Sequence, residues 1–555
     1  FPTRRSSDLV ISPDLTTNDK EKQKQSESGG LTMDATGAEN HCTIIVIEPS
    51  PVEQNMLWVG TDDGRVHYTL NGGETWVEVT KNIKGLPTGS WIPQIKASQN
   101  NKGEALLVAN DYRRFNYTPY AYRTKDYGKT WTRIVDENDV KGYTLSIIED
   151  PKNPNLMFLG TDDGLYVSLD AGSNWKKWDK GFPTVSTKDL AIHPREQDLV
   201  IGTFGRAAWV LDDIRPLRKL AGNTSILQKD IFLFDSPDAY LAAYQQPTGG
   251  RFGGDAIYSG ENRESGAMIT YYLKEGSQKD KEEAKEDKEE EEKKADDEKS
   301  KEKTKDSIFF EFYDGDRLIR TLKYKTPEKA GFHRIYWNLD EKGPDRPSRT
   351  ISKRNRERGG VEVKPGTYQV KVMYGESTDS TSVTVRTDPR LDVNLASINE
   401  VYETSKKLES YTQTAADAVK QLVESKDLAN KFKKELKALD EEKFKEQIKA
   451  SEAIVKQIDS VVALYLGKED KRQGITDDPE PNVMTRLGNA SYYVGTRKSG
   501  ITATERRMIR FAEEELKAAL DKTNAFFNDE WKSYRTSIES LDLSPFKETE
   551  RFNLN

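Results

Sequence analysis

One stretch occurs twice in this chain and limits what the chain can fold into. Leu57-Trp58-Val59-Gly60-Thr61-Asp62-Asp63-Gly64, running on to Trp76, returns as Met157-Phe158-Leu159-Gly160-Thr161-Asp162-Asp163-Gly164, running on to Trp175. Each copy reads as a short apolar strand, a turn at Asp-Asp-Gly, an alternating strand, and a box of the form Ser/Thr-x-Asp-x-Gly-x-x-Trp. The boxes are Thr69 to Trp76, Thr124 to Trp131 and Ser168 to Trp175. The box Asp (Asp126, Asp170) accepts from amides of its own turn, and the Gly (Gly73, Gly128, Gly172) takes positive φ without a Cβ clash. The Trp (Trp76, Trp131, Trp175) plugs the gap beside the hairpin. Asn71 replaces Asp in the first box, keeping the acceptor oxygen without the charge, which suits a structural cap rather than a catalytic acid.

First positions of successive boxes lie 55 and 44 residues apart, which fits one four-stranded blade per box and predicts a partial β-propeller. Blade one is predicted as strands 42–47, 56–60, 65–70 and 75–80. Blade two follows as 92–97, 105–109, 117–124 and 130–135, and blade three as 143–149, 156–160, 165–169 and 174–178. A degenerate fourth, 190–193, 199–202 and 207–211, lacks a box and a closing strand. Val10 to Thr16 reads as the exit strand of a blade whose box lay upstream. For 40–215 the expected shape is an open arc with unpaired edges.

Beyond the repeats, 216–262 reads as an irregular connector. Strand patterning over 263–388, with a turn at Pro365-Gly366-Thr367-Tyr368, suggests an immunoglobulin-like sandwich. It is interrupted at 277–306 by ten lysines and fourteen acids with no apolar residue beyond two alanines, a composition that stays solvated. From 389 to 555 the period becomes helical: one apolar face runs from Leu395 to Leu422, a second from Phe432 to Tyr465, and a third helix from about Thr502 to Ser537. These make a small bundle. The class is therefore mostly β with an α-helical C-terminus, in segments 10–40 (exit strand and loop), 41–215 (blades), 216–262, 263–388 and 389–555. Residues 1–9 read like a translated sequencing adapter and are set aside, which implies a truncated gene and a lost signal peptide.

Composition narrows the function. A net charge of -8 argues against nucleic acid as partner, and no apolar run approaches the ~20 residues of a membrane span. The histidines His41, His67, His193 and His333 never reach metal-ligand spacing, so no metal or other cofactor is expected. Cys42 stands next to His41, but it opens an apolar strand, where a packed thiol is the expectation.

In an up-and-down blade the boxes, as third-to-fourth turns, face away from the Asp-Asp-Gly turns. The opposite end gathers Asp62, Asp63, Asp162, Asp163, the loop Asn110 to Asn116 with Tyr112, Arg113 and Arg114, the turn bearing Arg206, and the crossing residues Trp91, Tyr143 and Phe182. Carboxylates, arginines and flat rings together suit a sugar or peptide. Against this, the repeated aspartates also read as structural turns, Arg206 as a solvated hairpin residue, and Tyr117, Tyr120 and Tyr122 as packing or stacking residues rather than ligand contacts. The Tyr112 to Asn116 loop, an insertion among short turns, carries the stronger binding expectation. Glycoside hydrolysis requires two carboxyls flanking the bond; no spacing here selects a pair, so no catalytic residue is assigned.

The boxes, the paired Gly-Thr-Asp-Asp-Gly turns, Ile11-Ser12-Pro13-Asp14-Leu15-Thr16 and Gly202-Thr203-Phe204-Gly205-Arg206 with Trp209-Val210-Leu211-Asp212-Asp213 together resemble sortilin-like proteins. In bacteria these are labelled bacterial-neuraminidase-repeat, or Asp-box, glycosyl hydrolases. The resemblance extends through Gly266 to Leu273 and Pro365 to Tyr368, covering roughly 10–390. It implies an exported protein of a Gram-negative envelope, secreted or periplasmic, with a larger propeller that binds peptide or glycan or cleaves polysaccharide. That group usually carries His where this chain has Phe204.

Overall fold

The computed structural model describes residues 10–23, 41–242, 263–274, 307–351, 357–468, 481–497 and 499–541. The adapter-like 1–9, part of the 10–40 loop, most of 216–262 beyond 242, and the charged insertion lie outside them. The chain divides into two compact units: Phe1–Pro237 with Thr270–Glu286 and Lys329–His333, and Asp238–Ile269 with Asp287–Glu328 and Arg334–Asn555.

The first unit is a succession of antiparallel up-and-down sheets. Sheet 1 is β1 (Ile44–Pro49), β2 (Leu57–Thr61), β3 (Val66–Thr69) and β4 (Val77–Glu78); sheet 2 is β5 (Trp91–Ala97), β6 (Ala105–Asp111), β7 (Asn116–Thr124) and β8 (Thr132–Arg133). Sheet 3 is β9 (Thr144–Glu149), β10 (Met157–Thr161), β11 (Gly164–Ser168) and β12 (Lys176–Lys177), and sheet 4 has only β13 (Thr187–Ile192), β14 (Leu199–Thr203) and β15 (Ala208–Leu211). Strand period 2 explains why the central strands read as continuous apolar runs. Every residue of β6 is buried: Ala105, Leu107 and Ala109 join the core against sheet 1, and Leu106 and Val108 the core against sheet 3. A third core joins sheets 3 and 4. Among the described residues buried apolar clusters join each sheet to the next, and none joins sheet 4 to sheet 1. Gln94 links strands of three sheets, accepting from Ile147 N at 2.7 Å and donating to Asp189 at 3.1 Å.

All three boxes share one geometry. The hydroxyl of Thr69, Thr124 or Ser168 accepts from the Gly73, Gly128 or Gly172 amide at 2.9–3.0 Å and donates to Asn71, Asp126 or Asp170 at 2.8–3.0 Å. That acceptor in turn takes the amide of Thr75, Thr130 or Asn174 at 2.8–3.0 Å. Each glycine has positive φ and lies on the residue that leaves the preceding sheet: a Cβ on Gly128 would come within 3.1 Å of Val79 Cβ, one on Gly172 within 3.2 Å of Ile134 Cβ, and one on Gly73 within 2.3 Å of Ile11 O. The indoles of Trp175 and Trp76 donate to Ile134 O at 2.7 Å and Ile11 O at 2.9 Å. Each box therefore fastens its sheet to the one before. Ile11 occupies the place of Val79 and Ile134.

Several expectations need correction. The end strands are two residues long, because the chain leaves each sheet soon after the box Trp. Cys42 does not open the first strand. It sits half-buried in the preceding turn with φ 67°, its Sγ 3.3 Å from Asp19 N and 3.4 Å from Thr17 Oγ1. The connector is not irregular throughout: α1 (Arg215–Gly222), started by Pro216, is followed by β16 (Ile231–Leu233) and β17 (Ala239–Leu241). Helix α1 joins the end of sheet 4 to the β9–β10 turn of sheet 3. Arg218 holds the fully buried Asp150 at 2.5 and 2.8 Å, and the Arg218 and Ala221 carbonyls accept from Asn153 and Asn155 of sheet 3.

In the second unit a five-stranded sheet runs in the order β17, β25 (Ser377–Thr387), β24 (Gly366–Tyr374), β19 (Ser307–Asp314), β20 (Arg317–Lys325). It recruits β17, parallel to β25, from the stretch read as connector. The indole of Trp337 stacks on Phe312 at 4.5 Å and meets Tyr368 edge-on at 5.5 Å, covering one face. The first two helical faces are not divided where the sequence suggests. Helix α2 (Leu395–Asp440) continues through Phe432, Leu436 and Leu439, and α3 (Lys445–Leu466) starts after a short turn. Helix α4 (Val483–Gly495), capped by Asn482, is an element the sequence analysis does not assign, although its buried residues Val483, Leu487, Ala490 and Val494 stand at helical spacing. Helix α5 (Ala503–Phe526) runs through one π turn, Phe527–Trp531, into α6 (Lys532–Glu539). Buried Glu341 holds α2 to the sheets: it accepts from Tyr402 OH at 2.5 Å and Arg317 at 2.8 and 3.0 Å, with Lys406 at 3.3 Å.

Trp131 is 8% exposed and meets Trp58 edge-on at 6.0 Å, so Trp131→Ala is expected to cost about 3–5 kcal/mol in thermal or denaturant unfolding; an unchanged melting temperature would contradict this packing. Burial disfavours the Glu341 carboxylate, but the Arg317 and Tyr402 donors and the Lys406 charge outweigh it and hold its pKa at about 2. A depressed carboxylate stabilises the fold above its unfolded pKa, so this contribution, roughly 3 kcal/mol, is fully present above about pH 4.5 and fades as pH falls toward 2. Melting curves of Glu341→Gln should lose that acid limb; an identical pH profile in wild type and variant would argue against the clamp.

Candidate functional site

The Asp-Asp-Gly turns join second to third strands and lie at the end of the sheets opposite the boxes, so the turn aspartates can be tested there one by one. Asp62 is buried and accepts from Thr43 N at 2.7 Å. Asp63 takes the Thr17 amide and hydroxyl at 2.6 and 2.7 Å and the Thr61 hydroxyl. Burial raises the Asp62 pKa, whereas at Asp63 the donors Thr61 and Thr17 outweigh burial and lower it. Asp163 accepts from Lys177 at 2.6 Å and Tyr166 OH at 3.0 Å. Asp62 and Asp63 are thus buried and bonded to the segments before β1, and the half-buried Asp163 is tied to β11 and β12.

Asp162 differs. Its amide donates to Tyr143 O at 3.1 Å, and its Oδ1 is buried without a hydrogen-bond partner, lying where a Cβ on Gly142 would stand. Burial raises its pKa, and the neighbouring Asp163 charge adds to the shift. Beside it the Tyr143 phenol is pushed up to about 12, by burial first and by the Asp162 charge second.

The loop between β6 and β7 builds a platform at this end. Asp111, buried at the end of β6, is bound by Arg114 Nε at 2.5 Å and Asn116 Nδ2 at 3.2 Å, and Phe115 reverses the chain with φ 58°. This turn places the Tyr112 ring on Tyr143, stacked at 4.6 Å with an interplanar angle of 18°, and the Arg113 guanidinium 3.5 Å above Trp91. Tyr117 approaches Tyr143 at 6.2 Å while remaining 53% exposed. Four rings and a guanidinium thus form a continuous, partly exposed surface across the ends of sheets 2 and 3. Trp91 Nε1 and Asn110 Oδ1, on directly paired residues of β5 and β6, are buried without hydrogen-bond partners beneath it.

Of the residues expected to bind a ligand, the structure brings together Tyr112, Arg113 and Arg114, with Asp162 beside Tyr143. It buries Asp62 and Asp63 and pairs Asp163 with Lys177 and Tyr166. Arg206 stands exposed on the sheet 4 turn, where its carbonyl accepts from the Trp209 indole at 2.8 Å. Of the three tyrosines read as packing or stacking, Tyr120 and Tyr122 are buried and Tyr117 lies beside Tyr143 with one face open to solvent. Sequence reasoning missed Lys188, which lies 5.6 Å over the exposed Phe204 ring. Among the described residues no cluster of His, Cys, Asp and Glu fit for a metal ion occurs, and no helix is long and apolar enough to cross a membrane.

Residues 120–216, from β7 through sheet 4 to the start of α1, match the family model described as sortilin, neurotensin receptor 3. This sortilin-type stretch carries two of the three boxes. Over 106 residues the chain is 26% identical to the oligoxyloglucan-reducing end-specific xyloglucanase of Emericella nidulans, a match covering 19% of this chain and 13% of that protein. Among solved structures, YCF48 from Cyanidioschyzon merolae is 20% identical over 30% of this chain and 56% of that one, with a TM-score of 0.22. The GH74 xyloglucanase from Xanthomonas campestris is 16% identical over 30% of this chain and 29% of that one, with a TM-score of 0.24.

Gly142 is the hinge of this site, with φ 77° and its Cα against Asp162 Oδ1. Gly142→Ala should displace Asp162, disturb the Tyr112–Tyr143 stack and cost roughly 1–3 kcal/mol. Thermal unfolding with amide exchange of 110–117 measures both, and a variant with wild-type stability and exchange would count against this account of the hinge.

Proposed function

We propose that the four sheets are blades of a larger Asp-box β-propeller in an exported, sortilin-like protein, and that the end opposite the boxes binds a glycan or peptide. In this reading the second unit adds an immunoglobulin-like sandwich and a helical bundle. The observation that carries it is the platform of Trp91, Arg113, Tyr112, Tyr143 and Tyr117. Flat rings held by neighbours and flanked by a guanidinium offer stacking area at little entropic cost, as recognition surfaces do. The engagement of Asp62, Asp63 and Asp163 by donors of the fold itself supports recognition rather than turnover. The match to the sortilin model supports the propeller, and the position of Ile11 against the first box supports a further sheet before it.

A second reading, hydrolysis of a polysaccharide, is favoured by Asp162, whose raised pKa and unpartnered Oδ1 are properties of a general acid, and by the xyloglucanase relative. A glycan and peptide binding screen, with product analysis of every hit, separates the two. Binding without turnover is expected. Tyr117→Ala should weaken it roughly tenfold, about 1.4 kcal/mol, as loss of an aromatic contact does. Released oligosaccharide that disappears in Asp162→Asn would establish the hydrolase instead, and full affinity in Tyr117→Ala would remove Tyr117 from the binding surface.

A further inference from the structure

The platform of sheets 2 and 3 continues onto sheet 4, where a second cation rests on a second exposed ring. The start of β13 lies against sheet 3: Ser146 Oγ donates to Thr187 O at 3.3 Å, and a Cβ on Gly160 would stand 2.5 Å from the same oxygen. Lys188 follows directly, its ammonium 5.6 Å over the Phe204 ring. Phe204 is 74% exposed, yet its backbone is fixed: its amide donates to Ser186 O at 2.9 Å, and Gly205 and Ala207 reverse the chain with φ 85° and 59°. Burial raises the Asp162 pKa and the Lys188 charge works against it, so Lys188 lies within electrostatic reach of the platform's centre.

Two cations therefore stand on this end of the sheets, Arg113 on Trp91 of sheet 2 and Lys188 on Phe204 of sheet 4, and the sheet order puts Tyr143 between them. A cation resting on a ring face is held by the ring without being neutralised. Among the described residues neither forms an ion pair. The carboxylates of the same turns are already engaged, Asp111 by Arg114 and Asn116, and Asp163 by Lys177 and Tyr166. Asp162 keeps its Oδ1 buried, and burial favours its neutral form, so it opposes an anion weakly. The sheet 4 turn, Thr203 to Ala207, carries no acid and adds the exposed Arg206. A chain of net charge -8 thus keeps positive charge unpaired beside flat rings at one place.

We propose that the ligand of this surface is an anionic glycan, a polysaccharide whose sugar rings carry carboxylates as uronic acids do. This rests on the recognition reading above and names the class of ligand within it. Sugar rings lie on Tyr117 and Phe204, the two most open faces, and their carboxylates meet Arg113 and Lys188. Both chemistries are needed side by side. A neutral glycan would use the rings and leave the cations idle, whereas an acidic peptide carries its carboxylates on flexible stems without a flat face to stack. A uronic acid joins a flat face to a charge in one rigid unit, which matches rings and cations fixed in register.

Calorimetric titration of the full chain with polygalacturonate, and with carboxyl-reduced polygalacturonate as the same polymer without its charge, tests this; polyglutamate serves as the acidic peptide. Polygalacturonate is expected to bind at least about tenfold more tightly than the reduced polymer, and to weaken as sodium chloride rises from about 50 to about 300 mM. Lys188 is exposed, so Lys188→Gln should keep the wild-type melting temperature while weakening polygalacturonate roughly tenfold and the reduced polymer hardly at all. Equal affinity for the two polymers, tighter binding of polyglutamate, or a Lys188→Gln variant with full affinity overturns the inference. A neutral polymer bound through Tyr117 would keep the recognition reading and discard the charge, whereas no bound probe at all would discard both.

Discussion

The fastening of each sheet to its predecessor depends on one contact, the box glycine lying on the backbone or side chain of the residue that leaves the previous sheet. A side chain at Gly73, Gly128 or Gly172 would press into Ile11, Val79 or Ile134, so the glycine permits the approach and the Trp of the same box seals it. The Ser or Thr and the Asp or Asn serve the glycine, holding its turn in the left-handed conformation through their own hydrogen bonds. The box is therefore an intersheet fastener, and conservative replacement of its carboxylate by Asn71 leaves the geometry unchanged.

Fixing the box ends of the sheets leaves their opposite ends free to differ. Two of the three box-bearing sheets use that end for a tight Asp-Asp-Gly turn, and sheet 2 uses it for the loop that carries Tyr112, Arg113 and Arg114. The loop is ordered by Asp111, the buried last residue of β6, so the platform is mounted on a fully buried strand. Rigid support beneath and adaptable rings above are what a recognition surface requires.

Much of this was legible in the residues. Strand alternation, Gly and Asp turn chemistry and the repeated Trp located all fifteen strands of the arc, because each signal is local. What escaped depends on distant partners. Whether Asp63 points to solvent or into its turn is decided by Thr17, 46 residues away, and Asp62 by Thr43. Helix α1 was invisible because its helical character is completed by burying Leu220 and Ala221 and by the Arg218–Asp150 pair. The continuity of α2 through Phe432 and Leu436 was hidden because its apolar face changes partner midway.

Because each box-bearing sheet carries its own fastener, the array has a cassette grammar. A unit running from one box to the next can be duplicated or lost in a single genetic event with its fastening intact, as in other linear repeat architectures. Helix α1 marks where that grammar stops: it follows sheet 4 without a box and is held to the β9–β10 turn of sheet 3 by the Arg218–Asp150 ion pair. Arrays of this kind can therefore grow or shrink by whole units ahead of α1, while the segment after it stays fixed.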